Sequence, residues 1–214
     1  MDAALVFAGG DAIPRTVGDL LDRDRFVIAA DSGLDHAHSL GIHTDLLVGD
    51  LDSVDPDLLR AARDDGTQVE HHPVAKDATD LELALEAARA RGAHRVTVVG
   101  GTGGRLDHLL ANALLLAAPR FADLAIDALL PPARLTVVRG ARTLTGRVGE
   151  LCTLLPAGGP ADGVTTSGLR YPLRDEPLSP GTTRGVSNVF VEPTATVAVR
   201  AGVLLAVQPE ALEV

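Results

Sequence analysis

Short apolar runs, each closed by glycine or aspartate, recur through the first hundred residues. Ala3–Ala8 leads into Gly9-Gly10-Asp11, and residues 25–30 lead into Asp31-Ser32-Gly33. Residues 46–48 lead into Gly49-Asp50-Leu51-Asp52-Ser53, and residues 95–99 into a glycine-rich loop that runs from Gly100 to His108. Runs of this length bounded by turn residues predict buried strands. Between them lie helical patterns at 34–40, at 56–63 with Pro56 at its start, at 80–91 and at 108–118. The clearest is 80–91, where Leu81, Leu83, Ala84, Leu85, Ala87 and Ala88 make a broad apolar face. Strands alternating with helices predict a mostly parallel sheet covered on both faces.

After Leu130-Pro131-Pro132 the helical period stops. Short β-prone runs follow at 135–138, 151–155, 163–166, 186–191, 196–200 and 203–207, separated by turn residues. Many strands at short spacing predict a small all-β sandwich or barrel. The expected organisation is therefore an α/β domain over residues 1–140 and an all-β domain over residues 141–214. The run at 135–138 is also able to serve as an added strand of the first sheet.

Strand ends carry the candidate chemistry. In an open parallel sheet the strand C-termini share one edge, and ligands bind along it. Gly9-Gly10, Asp31, Asp50 with Asp52, and the loop from Gly100 to Asp107 would meet there. Asp50 and Asp52 are two apart at a strand end, so they share one face and a small volume. Like charges that close require a proton or a cation between them, and hard divalent ions such as Mg²⁺ prefer oxygen-rich sites shared with phosphates. The plain alternative is an acidic turn.

Ahead of the strong helix, Thr79 and Glu82 have the spacing of a capping box, with Asp80 in the first turn. Capping does not account for Lys76, which can join backbone N–H groups in holding a phosphate. The loop 100–105 lacks the Lys-Ser/Thr of a Walker A motif and departs from the dinucleotide fingerprint. It can still bring backbone close to a nucleotide, with Arg105 and Asp107 at its exit.

Composition narrows the function. The chain has 214 residues, 46% hydrophobic and 22% charged, with a net charge of -10 and 2% aromatics without Trp. That balance argues against a nucleic-acid partner. The N-terminus lacks the basic region of a signal peptide, and no apolar run approaches a membrane span. A single Cys152 excludes an internal disulfide and fits a reducing compartment, so a cytoplasmic location is expected. Its apolar surroundings mark it as buried filler. Lys76 is the one lysine against eighteen arginines, and the two cations are not equivalent at a phosphate.

In the second half, residues 168–173 hold the single tyrosine, Tyr171. Ser187 and Asn188 put a hydroxyl and an amide beside a strand, a pair able to read hydrogen bonds on a heterocycle. The plain alternative is capping of a hairpin.

Taken together and in order, these motifs resemble the thiamine pyrophosphokinase family. They are Ala29-Ala30-Asp31-x-Gly33, Gly49-Asp50-Leu51-Asp52-Ser53, Lys76-Asp77-x-Thr79-Asp80, Gly103-Gly104-Arg105-Leu106-Asp107-His108 with Asn112, Gly168-Leu169-Arg170-Tyr171-Pro172-Leu173, and Ser187-Asn188. The resemblance implies a Rossmann-like α/β catalytic domain, a β-sandwich thiamine-binding domain, and a homodimer with active sites between subunits. It implies transfer of the pyrophosphoryl group of ATP to the hydroxyethyl oxygen of thiamine, leaving AMP. Asp31, Asp50, Asp52 and Asp80 would then surround Mg²⁺ and the phosphates, with Arg105 and Asp107 at the same site. Lys76, Asp77, Thr79, Gly104 and Asn112 would contact substrate, and Ser187 and Asn188 would face thiamine.

Three departures bear on the acceptor: Val189 where an acidic residue is common, Ser32 where a second glycine is common, and no Trp. Two further readings therefore stand beside the first. One is a related pyrophosphokinase with another acceptor, such as a hydroxymethylpterin. The other is a non-catalytic nucleotide- or thiamine-binding regulator.

Overall fold

The computed structural model describes residues 2–22, 24–103 and 105–212. Contacts divide the chain into two compact units. One comprises the chain up to Asn112 with Asp123–Pro131, and the other comprises Ala113–Ala122 with the chain from Pro132 on. The division falls at the Pro131-Pro132 pair, ahead of the boundary expected near residue 140.

The first unit contains β1 (Ala3–Ala8), α1 (Arg15–Gly18), β2 (Phe26–Ala30), α2 (Gly33–Ser39), β3 (Leu46–Gly49) and α3 (Pro56–Asp64). These are followed by β4 (Gln68–His71), α4 (Asp80–Ala90), β5 (Arg95–Gly100), the start of α5 (Leu106–Leu116) and β6 (Ala125–Leu130). The strands form a parallel sheet in the order β6-β5-β1-β2-β3-β4. Ala4, Leu5, Val6 and Phe7 are each at most 1% exposed. Consecutive buried residues in a strand require cover on both faces. On one face Ala29 and Leu47 share a cluster with Leu34 of α2 and Ala62 of α3. α4 packs along β1, β2 and β3. Thr79 caps α4, its hydroxyl accepting the Glu82 N–H at 3.3 Å, and Asp55 caps α3 through the Asp57 and Leu58 amides.

Strands β4 and β6 carried weak signals. β4 is an edge strand of mostly exposed polar residues, and β6 follows an alanine-rich stretch with no break in composition. His71 closes β4, and the His72 amide bonds the Gly49 carbonyl at 2.8 Å.

The second unit is a sandwich of two antiparallel sheets. One contains β7 (Ala133–Val138), β9 (Leu151–Pro156), β12 (Asn188–Val189) and β14 (Leu204–Gln208), in the order β12-β9-β14-β7. The other contains β8 (Ala141–Thr145), β10 (Ala161–Ser167), β11 (Glu176–Leu178) and β13 (Thr194–Ala198), in the order β11-β10-β13-β8. Inward residues of both sheets share one core, including Val138, Cys152, Leu154, Val164, Val197, Phe190 and Leu204. β7 pairs with β14 over five residues and so belongs with this unit. The expected strand at 186–191 shrinks to two residues because Ser187 adopts φ 57°, which breaks an extended run. Among the described residues no helix is long and apolar enough to cross a membrane.

Cys152 is fully buried on the core face of β9. Burial, with a smaller push from Glu150, raises its thiol to about 12. An unfolded thiol ionises at about 8.5, so the buried thiol contributes stability that is present below that pH and is lost as pH rises toward about 12. In the folded protein at pH 8, a disulfide reagent should leave Cys152 unmodified for hours and should modify it at once in denaturant. Rapid modification of the native protein would contradict the sealed core.

Candidate active site

The C-terminal ends of β1, β2, β3 and β5 open onto a cavity of about 920 Å³. The loop after β1 and the loop after β5 lie against each other on one side. Asp11 donates its amide to the Thr102 carbonyl at 2.7 Å, and Gly101 donates to the Gly9 carbonyl at 2.9 Å. Gly10 sits at φ 135°, where a Cβ would collide with the Thr102 carbonyl oxygen. Only glycine lets these two backbones approach so closely. Backbone rather than side chain therefore forms this wall, as close contact with a polyanion requires.

Asp31 ends β2 in a left-handed conformation, φ 48°, and Leu51 separates Asp50 from Asp52 at φ 64°. Both are uncommon for residues other than glycine, and both turn carboxylates into the cavity. Gly49 is at φ 151°, and a Cβ there would stand 3.1 Å from Asp80 Oδ1 and 3.2 Å from Asp31 Cβ. The glycine between strand and acidic pair is what allows Asp31, Asp50 and Asp80 to gather.

Oxygen atoms of Asp31, Asp50 and Asp52 lie within 4.8 Å of one another. Among the described residues, Asp31 Oδ1 is buried without a hydrogen-bond partner. Burial raises the Asp31 pKa, helped by the charges of Asp80, Asp50 and Asp52 and opposed by the Ser32 amide. An unpartnered buried carboxylate oxygen beside two more carboxylates is a hard-oxygen donor set, and Mg²⁺ fits it. Asp80 stands apart from this set of three. Its Oδ1 and the Asp50 Oδ2 both pair with Lys76 Nζ, at 2.9 and 2.8 Å. The hydrogen bond from Lys76 holds Asp50 below the usual carboxylate range. Burial pulls the Lys76 ammonium down, but the hydrogen bond to Asp50 and the ion pair with Asp80 outweigh it and the net shift is upward. Lys76, expected on phosphate, thus rests here on two carboxylates.

Arg105 and Asp107 line the same cavity as an exposed two-point pair, with contacts of 3.2 and 2.6 Å. The Arg105 guanidinium lowers the Asp107 carboxyl to about 2. Thr79 and Asn112 also line the cavity, and Asn112 reaches the Gly101 carbonyl at 3.4 Å. Asp77 does not line it; its side chain is exposed in the loop before α4, so a substrate contact from Asp77 is not supported. Gly104 lies outside the described residues. Ser53 and Thr102 are among the lining residues that sequence reasoning did not single out as candidates. Ser53 donates its hydroxyl to Asp52 Oδ1 at 2.9 Å, and Thr102 supplies the backbone wall.

Within the second unit, Ser187 is exposed and its amide bonds Thr153 Oγ1 at 3.0 Å. Asn188 is only 6% exposed. Its Oδ1 accepts the Tyr171 and Val189 amides, each at 2.9 Å, and its Nδ2 donates to the Tyr171 carbonyl at 2.8 Å. The expected acceptor-facing amide is therefore committed to backbone. What it clamps is the loop that leaves the Tyr171 side chain exposed, between buried Leu169 and Leu173.

Two family models match the chain. The one described as thiamin pyrophosphokinase, catalytic domain, covers residues 17–127, and the one described as thiamin pyrophosphokinase, vitamin B1 binding domain, covers residues 142–204. Thiamine pyrophosphokinase of Bacillus subtilis is 25% identical, over 95% of this chain and 96% of its own length. Thiamine pyrophosphokinase 1 of Oryza sativa is 26% identical, over 86% of this chain and 79% of its own. The crystal structure of the Bacillus subtilis enzyme superposes with a TM-score of 0.84 at 25% identity, covering 97% of this chain and 99% of that one. A catalytic-domain match laid over the carboxylate-lined cavity and a binding-domain match laid over the β-sandwich agree in order and extent, and the chain belongs to the thiamine pyrophosphokinase family.

Proposed function

We propose that this chain transfers the pyrophosphoryl group of ATP to thiamine, using Mg²⁺ held by Asp31, Asp50 and Asp52. The thiamine alcohol oxygen attacks the β-phosphorus, releasing its proton. The bond from that phosphorus to the α,β-bridging oxygen breaks, AMP departs with the bridging oxygen, and thiamine diphosphate remains. The observation that carries the reading is the convergence of three carboxylates, a lysine and an arginine on one glycine-walled cavity in a chain of this family.

Transfer of this kind asks a protein for positioning and charge cancellation more than for covalent chemistry. When bound, the metal would neutralise phosphate charge and fix the leaving and transferred groups. Gly9, Gly10 and the loop after β5 supply close backbone for the phosphates, and Arg105 supplies a fork of donors. Asp107, held near 2, stays ionised at neutral pH and serves to aim Arg105; a carboxylate so acidic is a weak proton acceptor. In the second unit the exposed side chains of Ser187 and Tyr171 would meet the flat cationic acceptor, by hydrogen bond and by ring contact. The proposal includes a homodimer in the cytoplasm, in keeping with one buried free thiol and the resemblance drawn from sequence.

Incubation with ATP, Mg²⁺ and thiamine should yield AMP and thiamine diphosphate in equal amounts. AMP formed only with a hydroxymethylpterin would shift the acceptor, and no AMP with either would leave a binding protein. Asp52→Asn should lower kcat by about 10²–10³-fold, the scale of losing one preorganised electrostatic contact. Asp77→Asn should change it less than twofold, and equal losses in both would contradict the placement of Asp77.

Tyr171→Ala should raise the thiamine KM at least severalfold and leave the ATP KM unchanged. Equal effects on the two substrates would remove Tyr171 from the acceptor side. Sedimentation should give twice the 22.1 kDa chain mass; a monomer that is fully active would refute the dimer.

A further inference from the structure

The single lysine of the chain occupies the carboxylate cluster that the proposed function reserves for metal and polyphosphate. Lys76 Nζ lies 2.8 Å from Asp50 Oδ2 and 2.9 Å from Asp80 Oδ1, and its side chain is 13% exposed. Asp50 also belongs to the three-carboxylate set with Asp31 and Asp52. One aspartate is thus shared between an ammonium and the metal's donor set. A divalent cation and an ammonium on the same carboxylate repel each other strongly at such short range. Each cation weakens the hold of the other on Asp50.

We propose that Lys76 is the internal counter-ion of this cluster: it neutralises Asp50 and Asp80 before metal binds, and it moves to the phosphates of the nucleotide once metal has taken its place. The inference rests on the Mg²⁺ reading above and adds to it a competition and an exchange of partners. Without some cation, carboxylates gathered this closely would repel one another and loosen the ends of β2 and β3. Lys76 removes that repulsion while keeping the geometry. Its residue type suits the exchange. A point charge on a flexible four-carbon stem can swing between oxygens, whereas an arginine fork is bound to a planar two-point geometry.

Its place in the chain suits it as well. Lys76 lies in the non-repetitive segment between β4 and α4, where, among the described residues, its amide bonds back to the Val74 carbonyl at 3.1 Å. No sheet ladder holds that backbone, so the residue can follow its ammonium. Arg105 cannot perform the same task, since its guanidinium is paired with Asp107.

The expected signature has opposite signs for the two ligands. By titration calorimetry without nucleotide, Lys76→Met should bind Mg²⁺ about tenfold more tightly than the unmodified protein, because no ammonium has to be displaced; tenfold is the smallest change that would clearly register the competition. The same variant should bind ATP with Mg²⁺ at least severalfold more weakly. In chelator it should melt at a lower temperature and recover more on adding Mg²⁺ than the unmodified protein does. Arg91→Gln, which removes a cation paired with Glu70 outside the cavity, should alter Mg²⁺ affinity by less than twofold.

Should Lys76→Met fail to fold in chelator, Lys76→Arg provides the second comparison. It should keep the metal-free melting temperature and bind Mg²⁺ at least threefold more weakly, since the fork grips the carboxylates harder. A Lys76→Met protein that binds Mg²⁺ no more tightly than the unmodified one would overturn the proposal and leave the metal reading intact, as would a Lys76→Arg protein that binds it as well. An unmodified protein that binds no Mg²⁺, with or without ATP, would overturn the metal reading and this proposal together.

Discussion

Close approach of carboxylates at one edge of a parallel sheet is the constraint on which the first unit depends. Asp31, Asp50 and Asp52 share a space only a few ångströms across, and Asp80 stands beside it. Such a cluster is stable only with a proton or a cation among its oxygens. The local backbone is built to tolerate it. Two non-glycine residues adopt left-handed conformations, and Gly49 leaves out the one atom that would wedge Asp31 and Asp80 apart. Strain of this kind persists where the surrounding sheet over-determines the strand ends. Here that sheet is buried on both faces, so the expense of holding like charges together is met by a core that does not otherwise need them.

The layout of the first unit was legible because its signals are local. Apolar runs of three to six residues ended at turn residues, and the strands end within a residue or two of where those runs stop. The convergence of Asp31, Asp50, Asp52, Arg105 and Asp107 followed from a topological rule rather than from any one motif, whereas Lys76 and Asp80 joined them through the segment before α4 and the family resemblance. Strand β4 was faint because an edge strand need not be apolar, and β6 was hidden because Ala-Ile-Asp-Ala-Leu-Leu satisfies a helical pattern as well as an extended one. The unit boundary moved because β7 finds its partner seventy residues later, in β14, and pairing at that range leaves no mark on the local sequence.

Residue roles were less legible than residue positions. Lys76 was recognised as unusual by its rarity, yet its partners became apparent only once Asp50 and Asp80 were seen on either side of it. Asp77 shares a motif with Lys76 and Asp80 but is turned outward by the loop before α4. Asn188 illustrates the same limit in the second unit. A buried amide must satisfy its donors and acceptor wherever they are available, and the nearest groups were the backbone of Tyr171 and Val189. Spacing along a chain can say that an amide sits beside a strand; it cannot say which backbone the amide will hold.

The central claim is that the ends of β2 and β3 form a cation site from which Lys76 yields to a nucleotide-bound metal. Anomalous diffraction from crystals grown with Mn²⁺ and α,β-methylene-ATP tests it directly. A manganese peak among the carboxylates of Asp31, Asp50 and Asp52, with Lys76 moved off Asp50 and onto a phosphate, is the predicted result. A peak elsewhere, or a nucleotide bound with Lys76 still paired to Asp50 and Asp80, would contradict it.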